Sequence, residues 1–434
     1  FFFLLALNGK AQEVEVLTLE DCLRIGIDNN LSLEGKRKEI QKSKYGVSEN
    51  RSKLLPQINA IAGYNNNFDP PVSVTDGSSY GVPYNITKTL QHSANAGLEM
   101  QMPLFNQTLY TSMSIAKVME EISRLSYGKA REDVILQISK MYYLGQVTAE
   151  QIMLIKANIT RLEELRDITQ AFFDNGMSME VDLKRVNINL ENLKVQYDNA
   201  QAMMKQQLNM LKYIMDYPAE KEIALTPVNA DSITTVALTG LSENIYELQL
   251  SQSQVQLAER QKKIITNGYI PSLSLTGSWR YAAYTDKGYH WFHSGPSNQW
   301  FRSYGVGLTL RIPIFDGLDK TYKIKKAMID IENKRLAWED ARKNLQTQYL
   351  NAVNDLMNNQ RNFKKQKDNY LLAEDVYAVT SDRYREGIAS MTEVLQDEMQ
   401  MSEAQNNYIS AHYNYRVTNL MLLKLTGQIE SLVK

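Results

Sequence analysis

The side chains that carry most enzymatic and metal chemistry are scarce in this chain. Its 434 residues include four histidines and one cysteine, and they contain no phosphate-binding glycine loop, zinc-protease motif or nucleophile elbow. His290 and His293 form an H-x-x-H pair that would suit two zinc ligands, but no third ligand lies nearby. Glu163 and Glu164 are ordinary on a long helix, because catalytic acids must converge in a pocket. We therefore expect no metal, no cofactor and no enzymatic activity.

Cysteine usage and charge narrow the range of partners. The single cysteine, Cys22, excludes an intramolecular disulfide bond. The residues before it lack the small side chains that precede a lipid-modified cysteine, so a buried apolar thiol on the first helix is favoured over a lipid anchor. The net charge of −1 gives no indication of nucleic-acid binding.

The sequence contains two similar halves. Residues 55–59 (LPQIN) correspond to 270–274 (IPSLS), 101–106 (QMPLFN) to 311–316 (RIPIFD), and 173–176 (FDNG) to 384–387 (YREG). The spacing of about 210 residues is far longer than the roughly 20–50 residues of a solenoid repeat. We interpret the pattern as an internal two-fold duplication of a half-domain, with both halves packed into one structural domain.

The predicted organisation follows from this duplication. We expect residues 1–11 to be the remainder of a secretory signal peptide, the alternative being a ragged apolar N-terminus. We expect residues 12–216 to form the first repeat, 217–240 a short irregular or mixed linker, and 241–434 the second repeat. No later apolar run is long enough to predict a transmembrane helix.

Long helical hairpins are predicted in both halves. No proline occurs within residues 104–217 or after residue 313, and apolar residues recur every three or four positions. Hairpins at about 107–215 and 318–427 would turn near Gly176 and Gly387, and their first helices would each extend roughly 100 Å. Shorter helices are predicted at about 19–52 and 242–266. The spacing of the apolar residues favours antiparallel, coiled-coil-like packing of the two helices in each hairpin.

Four strands are predicted beside these helices, at about 55–67, 91–103, 270–283 and 302–313. Each has about ten residues with alternating apolar and polar side chains, which suits a tilted transmembrane β-strand. Tyr64, Trp279, Tyr281 and Tyr304 near strand ends favour this interpretation over a soluble β-sandwich. The segments between paired strands, about 67–90 and 284–302, are expected to be surface loops. The predicted fold is therefore α+β and mainly α.

Four strands cannot close a barrel, and an open sheet edge is excluded in lipid. The strands must therefore be pooled between subunits. Two chains would supply eight strands with a filled interior, and three chains would supply twelve strands with room for a channel.

This order of elements resembles the TolC-like outer-membrane efflux protein family. The resemblance is carried by residues 17–23 (LTLEDCL) with 29–31 (NNL), by 55–56 (LP), by 103–105 (PLF) and 313–317 (PIFDG), and by the spaced motif at 384–395. It implies a homotrimer with a twelve-stranded barrel in the outer membrane and an α-barrel of twelve helices in the periplasm. It further implies a passive duct for small molecules, joined to an inner-membrane transporter by a periplasmic adaptor.

The resemblance also implies where the duct is controlled. The periplasmic entrance and adaptor-contacting turns would lie around Gly176 and Gly387. By motif position, Tyr384 corresponds to a tyrosine that keeps the entrance closed, and Glu393 to an acidic gate residue. Three copies of Glu393 would form a ring that favours cations, the alternative being an ordinary exposed carboxylate.

The chain departs from the family pattern close to this gate. Gln396 stands where a second acid is expected, and Ala389 stands where a basic residue forms a closing link. Asp182 is the counterpart of Glu393 in the first hairpin and is a further candidate for the gate.

Two other functions remain open at this point. The exit duct of a type I protein-secretion system would have the same fold and a protein cargo. A periplasmic coiled-coil adaptor or scaffold belongs to another class, but it would carry one hairpin flanked by lipoyl-like and small barrel domains.

Overall fold

The computed structural model describes residues 14–227, 240–286 and 300–433. These residues form two compact units, each assembled from separate segments. Unit 1 takes the described parts of 1–40, 123–252 and 336–434, and unit 2 takes those of 41–122 and 253–335. The predicted signal peptide at 1–11, linker residues 228–239, and His290 and His293 lie outside the described residues.

The chain is mainly helical with additional strands, as predicted for an α+β fold. In order, the elements are β1 (Glu15–Leu17), α1 (Leu19–Asn29), α2 (Leu31–Ser52), β2 (Gln57–Asn66), β3 (Val72–Asp76), β4 (Tyr84–Lys88), β5 (His92–Phe105), α3 (Gln107–Asp174), α4 (Glu180–Met215), β6 (Ile223–Leu225), α5 (Tyr246–Asn267), β7 (Ser272–Thr285), β8 (Trp300–Arg311), α6 (Asp319–Arg385) and α7 (Met391–Leu425). Short 3₁₀ turns lie at 78–80 and 429–432.

Unit 2 contains a four-stranded antiparallel sheet in the order β2-β5-β7-β8. These strands begin and end within two residues of the predicted bounds. The register places Leu98 opposite Trp279, and Trp279 opposite Tyr304, so these apolar side chains share one face. On the other face Arg280 forms a 2.5 Å ion pair with Glu99. The alternation read from the sequence therefore corresponds to two chemically different sheet faces.

The segment at 67–90, which was predicted as a surface loop, is largely exposed and contains a hairpin that was not predicted. β3 and β4 form an antiparallel hairpin in which Val74 pairs with Ile86. Both strands alternate in the same way as the long ones, but they are only five residues long and lie among Gly, Pro and Ser. The Gly, Pro and Ser content of the segment favoured a loop, so the short alternation of apolar and polar residues was not recognised as two strands.

The helices of unit 1 share an apolar core. Cys22 is fully buried there beside Leu23, and burial raises the pKa of its thiol to about 12. The prediction of a buried apolar cysteine is confirmed. Gly26 approaches Ile138 and Met215 so closely that a Cβ atom would overlap the Ile138 side chain.

The helix predicted at 19–52 is divided at Asn30. The Asn30 side chain accepts a hydrogen bond from the Leu33 backbone N–H (3.1 Å) and donates one to the Ile214 carbonyl (2.7 Å). Asn30 thus caps the second helix and breaks the first, a competition that short polar side chains favour. The described part of the predicted linker is mixed, because it contains β6, which pairs in parallel with β1.

None of the described helices combines the length and apolarity needed to cross a bilayer.

Candidate functional site

The α3–α4 and α6–α7 turns of unit 1 have the same backbone geometry. Gly176 has φ +74° and Gly387 has φ +76°, values that glycine adopts without a side-chain penalty. In the first turn, Met177 N–H donates to the Phe172 carbonyl (2.8 Å); in the second, Ile388 N–H donates to the Arg383 carbonyl (2.8 Å). These bonds, with those from the glycines, form a Schellman motif at each helix end.

The helices that follow the two turns begin differently. The Ser390 backbone N–H and hydroxyl both donate to Glu393 Oε2, at 2.7 and 2.9 Å, and Glu393 N–H donates back to Ser390 Oγ at 3.3 Å. This capping box lowers the pKa of Glu393 from its ordinary value. Met179, at the same position before α4, makes no side-chain cap. Asp182 and Glu393 each occupy the third helical position.

Tyr384 connects the α6–α7 turn to helix α3. Its side chain is buried, its ring centroid lies 5.7 Å from that of Phe172, and its hydroxyl donates to Thr169 Oγ1 at 3.3 Å. Thr169 in turn donates to the Leu165 carbonyl at 2.7 Å, which leaves its oxygen oriented to accept. A buried aromatic ring with a satisfied hydroxyl fixes the turn against the neighbouring hairpin.

The remaining candidates have different surroundings. Asp182 forms a 3.2 Å ion pair with Arg185, which also donates to Thr392 Oγ1 at 3.4 Å, so a basic residue of α4 reaches α7. Gln396 is exposed on α7, and Ala389 is partly buried against the core. Arg185 of α4 and Ala389 both line the groove between the two turns.

A groove of about 620 Å³ separates the two turns. It is lined by four of the predicted residues, Gly176, Asp182, Tyr384 and Gly387, together with Arg185 and Thr392. Glu393 and Gln396 are not among its described lining residues. The structure therefore brings together most of the predicted site and leaves these two on α7 outside it.

Sequence reasoning missed a polar layer further along the same helices. We define this polar layer as Asn158 and Arg161 of α3, Glu374 of α6, and Glu398 and Gln405 of α7. Asn158 and Gln405 exchange hydrogen bonds of 2.7 and 3.4 Å, and Arg161 Nη1 lies 3.0 Å from Glu374 Oε1. Glu398 is 4% exposed, and burial raises the pKa of its carboxyl.

The polar layer also changes the pKa of a neighbouring tyrosine, Tyr377. Burial, and then the negative charge of Glu398, raise the pKa of Tyr377 to about 12. Spacing could have revealed the layer, because Val394, Glu398, Met401 and Gln405 follow the three-and-four pattern of the helix seam.

Among residues 14–227, 240–286 and 300–433, no group of three or more His, Cys, Asp or Glu side chains is arranged to hold a metal ion.

Comparison with known proteins identifies the family. The family model described as outer membrane efflux protein matches residues 25–215 and 239–428. The outer membrane protein TolC of Vibrio cholerae serotype O1 is 21% identical over 396 residues, covering 88% of this chain and 84% of that protein. The probable efflux pump outer membrane protein TtgC of Pseudomonas putida is 23% identical over 379 residues, covering 82% and 75%.

Solved structures show the same fold. The outer-membrane channel OprN matches with a TM-score of 0.76 and 15% identity, covering 94% of this chain and 89% of that one. The outer membrane protein VceC of Vibrio cholerae matches with a TM-score of 0.74 and 14% identity, covering 94% and 96%. The chain therefore belongs to the outer membrane efflux protein family: it is a TolC-like outer-membrane channel protein and not an enzyme.

Proposed function

We propose that this protein is the outer-membrane channel of a tripartite efflux system. It forms a passive duct through which small molecules leave the periplasm, and it works with an inner-membrane transporter and a periplasmic adaptor. The observation that carries the proposal is the apolar row on edge strand β8, where Val306, Leu308 and Leu310 are 80%, 67% and 60% exposed. Such a row, continuous on one strand face, is suited to lipid rather than water.

The assembly we propose is a homotrimer. β2 and β8 each pair with a single described strand, which leaves two sheet edges with unpaired backbone groups. An open edge is excluded in lipid, so copies of the chain must join through these edges. Three copies give the twelve strands of a barrel wide enough for a channel. The helical hairpins of unit 1 then lie in the periplasm.

The two turns of unit 1 are the proposed periplasmic entrance and adaptor contact. Gly176 and Gly387 form the turns, Tyr384 holds one of them to α3, and Asp182 and Glu393 supply negative charge at the helix starts. Gln396 is exposed nearby and carries no charge.

Efflux of small molecules is favoured over protein secretion by the relatives' names. TtgC and ArpC of Pseudomonas putida are named for an efflux pump and an antibiotic efflux pump. The secretion alternative uses the same duct with a different transporter.

Membrane fractionation and reconstitution test the proposal. We expect the full chain in the outer-membrane fraction, as a heat-resistant trimer band on a gel, and we expect purified trimer to produce discrete conductance steps in planar bilayers. A monomer in the soluble periplasmic fraction would contradict the channel and support a scaffold.

A further inference from the structure

The polar face of the four-stranded sheet in unit 2 carries a cross-strand ion pair. We define this polar face as the side of the sheet that carries, in register, Asn59, Glu99, Ser278 and Gly305. Arg280 Nη2 of β7 donates to Glu99 Oε1 of β5 at 2.5 Å. Because Arg280 lies two residues beyond the partner of Glu99, the two are diagonal neighbours, a separation that long side chains can bridge. Both side chains are partly exposed, at 47% for Glu99 and 43% for Arg280.

The surroundings of this ion pair are open and uncharged. Gly305 and Gly307 of the next strand have no side chains that could cover it. A cavity of about 520 Å³ lies over this part of the polar face, and its polar lining consists of Asn59, Glu99, Gln101, Thr276, Ser278 and Arg280. Glu99 and Arg280 are the only charged residues among its described lining residues. A solute in the cavity therefore meets one acid and one base, held together.

Other charges on the polar face are far from the pair. Among the described residues of the four strands, the one further charged side chain on this face is Arg311, opposite Ser272 at the end of β8. Arg280 lies opposite Ser303, so the two arginines are separated by about 26 Å along the strand at roughly 3.3 Å per residue. Charges are screened over about 8–10 Å at physiological salt. Glu99 and Arg280 therefore set the local charge of the polar face, and together they cancel it.

The opposite face of the same strands determines where the pair lies in the proposed channel. That face carries the exposed apolar row of Val306, Leu308 and Leu310. With this row in contact with lipid, the polar face lines the water-filled interior of the barrel. A trimer would then place three Glu99 and three Arg280 side chains around the interior, and the sum of their charges is zero. Rings of charged side chains decide which ions a channel admits.

We propose that the Glu99–Arg280 pair determines the charge selectivity of the barrel. The two charges cancel on the wall of the interior, so the barrel admits solutes of either sign, and loss of either partner makes it selective. Exposed ion pairs add little stability, but cancellation requires only that the two charges stay close together. This inference rests on the proposed channel function and deepens it by naming residues that decide which solutes pass.

Reversal potentials of reconstituted trimers in a salt gradient test the pair. Glu99→Gln leaves Arg280 uncompensated, so the anion-to-cation permeability ratio should rise at least about three-fold above wild type. Arg280→Gln leaves Glu99 uncompensated and should lower the ratio by a similar factor. The double variant carries neither charge, so its ratio should return to within about two-fold of wild type. Opposite shifts that cancel in the double variant are specific to charge, because a contact that only fixes strand register has no sign.

Arg302→Gln is the matched control. Arg302 directly precedes Ser303, the partner of Arg280, so the two arginines lie at nearly the same height in the sheet. Arg302 is on the apolar face, where its guanidinium carbon lies 5.9 Å from the Tyr304 ring centroid. Its removal should change the permeability ratio less than about two-fold. An effect as large as that of Arg280→Gln would contradict the assignment of the polar face to the interior.

Chemical modification tests the same charges after the trimer has assembled. Cys22 is the single cysteine of the chain and is fully buried, so Glu99→Cys supplies one accessible thiol per chain. This variant should be more anion-selective than wild type. A methanethiosulfonate reagent with a sulfonate group restores the negative charge and should return the ratio towards wild type, whereas a trimethylammonium reagent should raise it further. Arg280→Cys should give the opposite pattern, and it serves as the test if Glu99 variants do not assemble.

Three outcomes would overturn the proposal. They are shifts of the same sign in both single variants, a double variant as selective as either single one, and unchanged selectivity in both single variants. Each would leave the pair as a contact that fixes the register of β5 and β7. Wild-type trimer that does not conduct would instead contradict the proposed channel function, so the two failures are distinguishable.

Discussion

The α3–α4 turn and the α6–α7 turn share a backbone and differ in the side chains around it. Each ends its first helix in a Schellman motif with a left-handed glycine, Gly176 or Gly387. In the second turn, however, Tyr384 is 6% exposed, whereas Phe173 at the equivalent position in the first turn is 38% exposed. The second turn is also followed by a capped helix, and the first is not.

This difference indicates how a repeated structure can acquire distinct roles. The backbone of each turn is fixed by glycine and by local hydrogen bonds, so it survives changes in the surrounding residues. The side chains decide how firmly each turn is attached to the rest of unit 1. We therefore expect the α6–α7 turn to open less often than the α3–α4 turn, and the substitutions below test this comparison.

The largest effect is expected from Tyr384→Ala. Removing a buried aromatic ring costs about 3–5 kcal/mol through lost burial and the cavity left behind, so the free energy of local opening of the α6–α7 turn should fall by that amount. In the proposed channel the same change should open the entrance and increase conductance. Hydrogen exchange of residues 380–395 and single-channel recording measure the two effects.

Matched variants show whether the ring or the position matters. Phe173→Ala removes an exposed ring and should cost no more than about 1 kcal/mol, since surface substitutions are usually mild. Tyr384→Phe removes only the hydroxyl bonded to Thr169 and should cost about 1 kcal/mol. Equal losses in Tyr384→Ala and Phe173→Ala would remove the proposed asymmetry between the turns.

Local signals predicted the turns, but they did not predict the contacts between helices. The glycines and the matching motifs at 173–176 and 384–387 located both turns. This works because a helix that ends in a residue with the left-handed backbone conformation usually has glycine at that position. The partners of Tyr384 on α3, Thr169 and Phe172, lie more than 200 residues away in sequence, and periodicity carries no information about which helices meet.

The polar layer was missed for a related physical reason. Val394, Met401 and Tyr408 mark the apolar face of α7, and the polar residues at the same spacing were not predicted to be buried. Glu398 and Gln405 lie on that buried face, where each must be matched by a partner on another helix. Burial of a polar residue depends on its partner, and the partner is fixed only by the tertiary structure.

A smaller effect is expected from substitutions that remove the difference between the N-caps of α4 and α7. Ser390→Ala removes the cap of α7 and should destabilise its first turn by about 1 kcal/mol. Met179→Ser introduces a cap at the start of α4 and should stabilise that turn by a similar amount. Protection of amides 391–394 and 180–183 provides the measurement. If Ser390→Ala leaves α7 unaffected, the capping box does not contribute to the difference between the turns.

The acid in the capping box adds a dependence on pH. Hydrogen bonds from Ser390 hold the pKa of Glu393 below its ordinary value of 4.5, so the folded protein binds this proton less readily than the unfolded chain. The stabilisation is fully present above pH 4.5 and is lost as the pH falls through the lowered pKa. After correction for intrinsic exchange, protection at the start of α7 should decline with acid in the wild type. In Glu393→Gln it should not.

The smallest expected difference lies in the charge that each turn presents to the channel entrance. Asp182 forms an ion pair with Arg185 at 3.2 Å. Glu393 is exposed and hydrogen-bonded to the uncharged Ser390, and the positive charge of Arg383 acts on it less strongly than those bonds do. In a trimer, three copies of Glu393 would therefore attract cations more strongly than three copies of Asp182. We expect Glu393→Gln to weaken divalent-cation block several-fold and Asp182→Asn to change it less than two-fold. Block that is equal in the two variants would mean that the Arg185 ion pair is too weak in solution to distinguish the acids, which is the usual behaviour of exposed pairs.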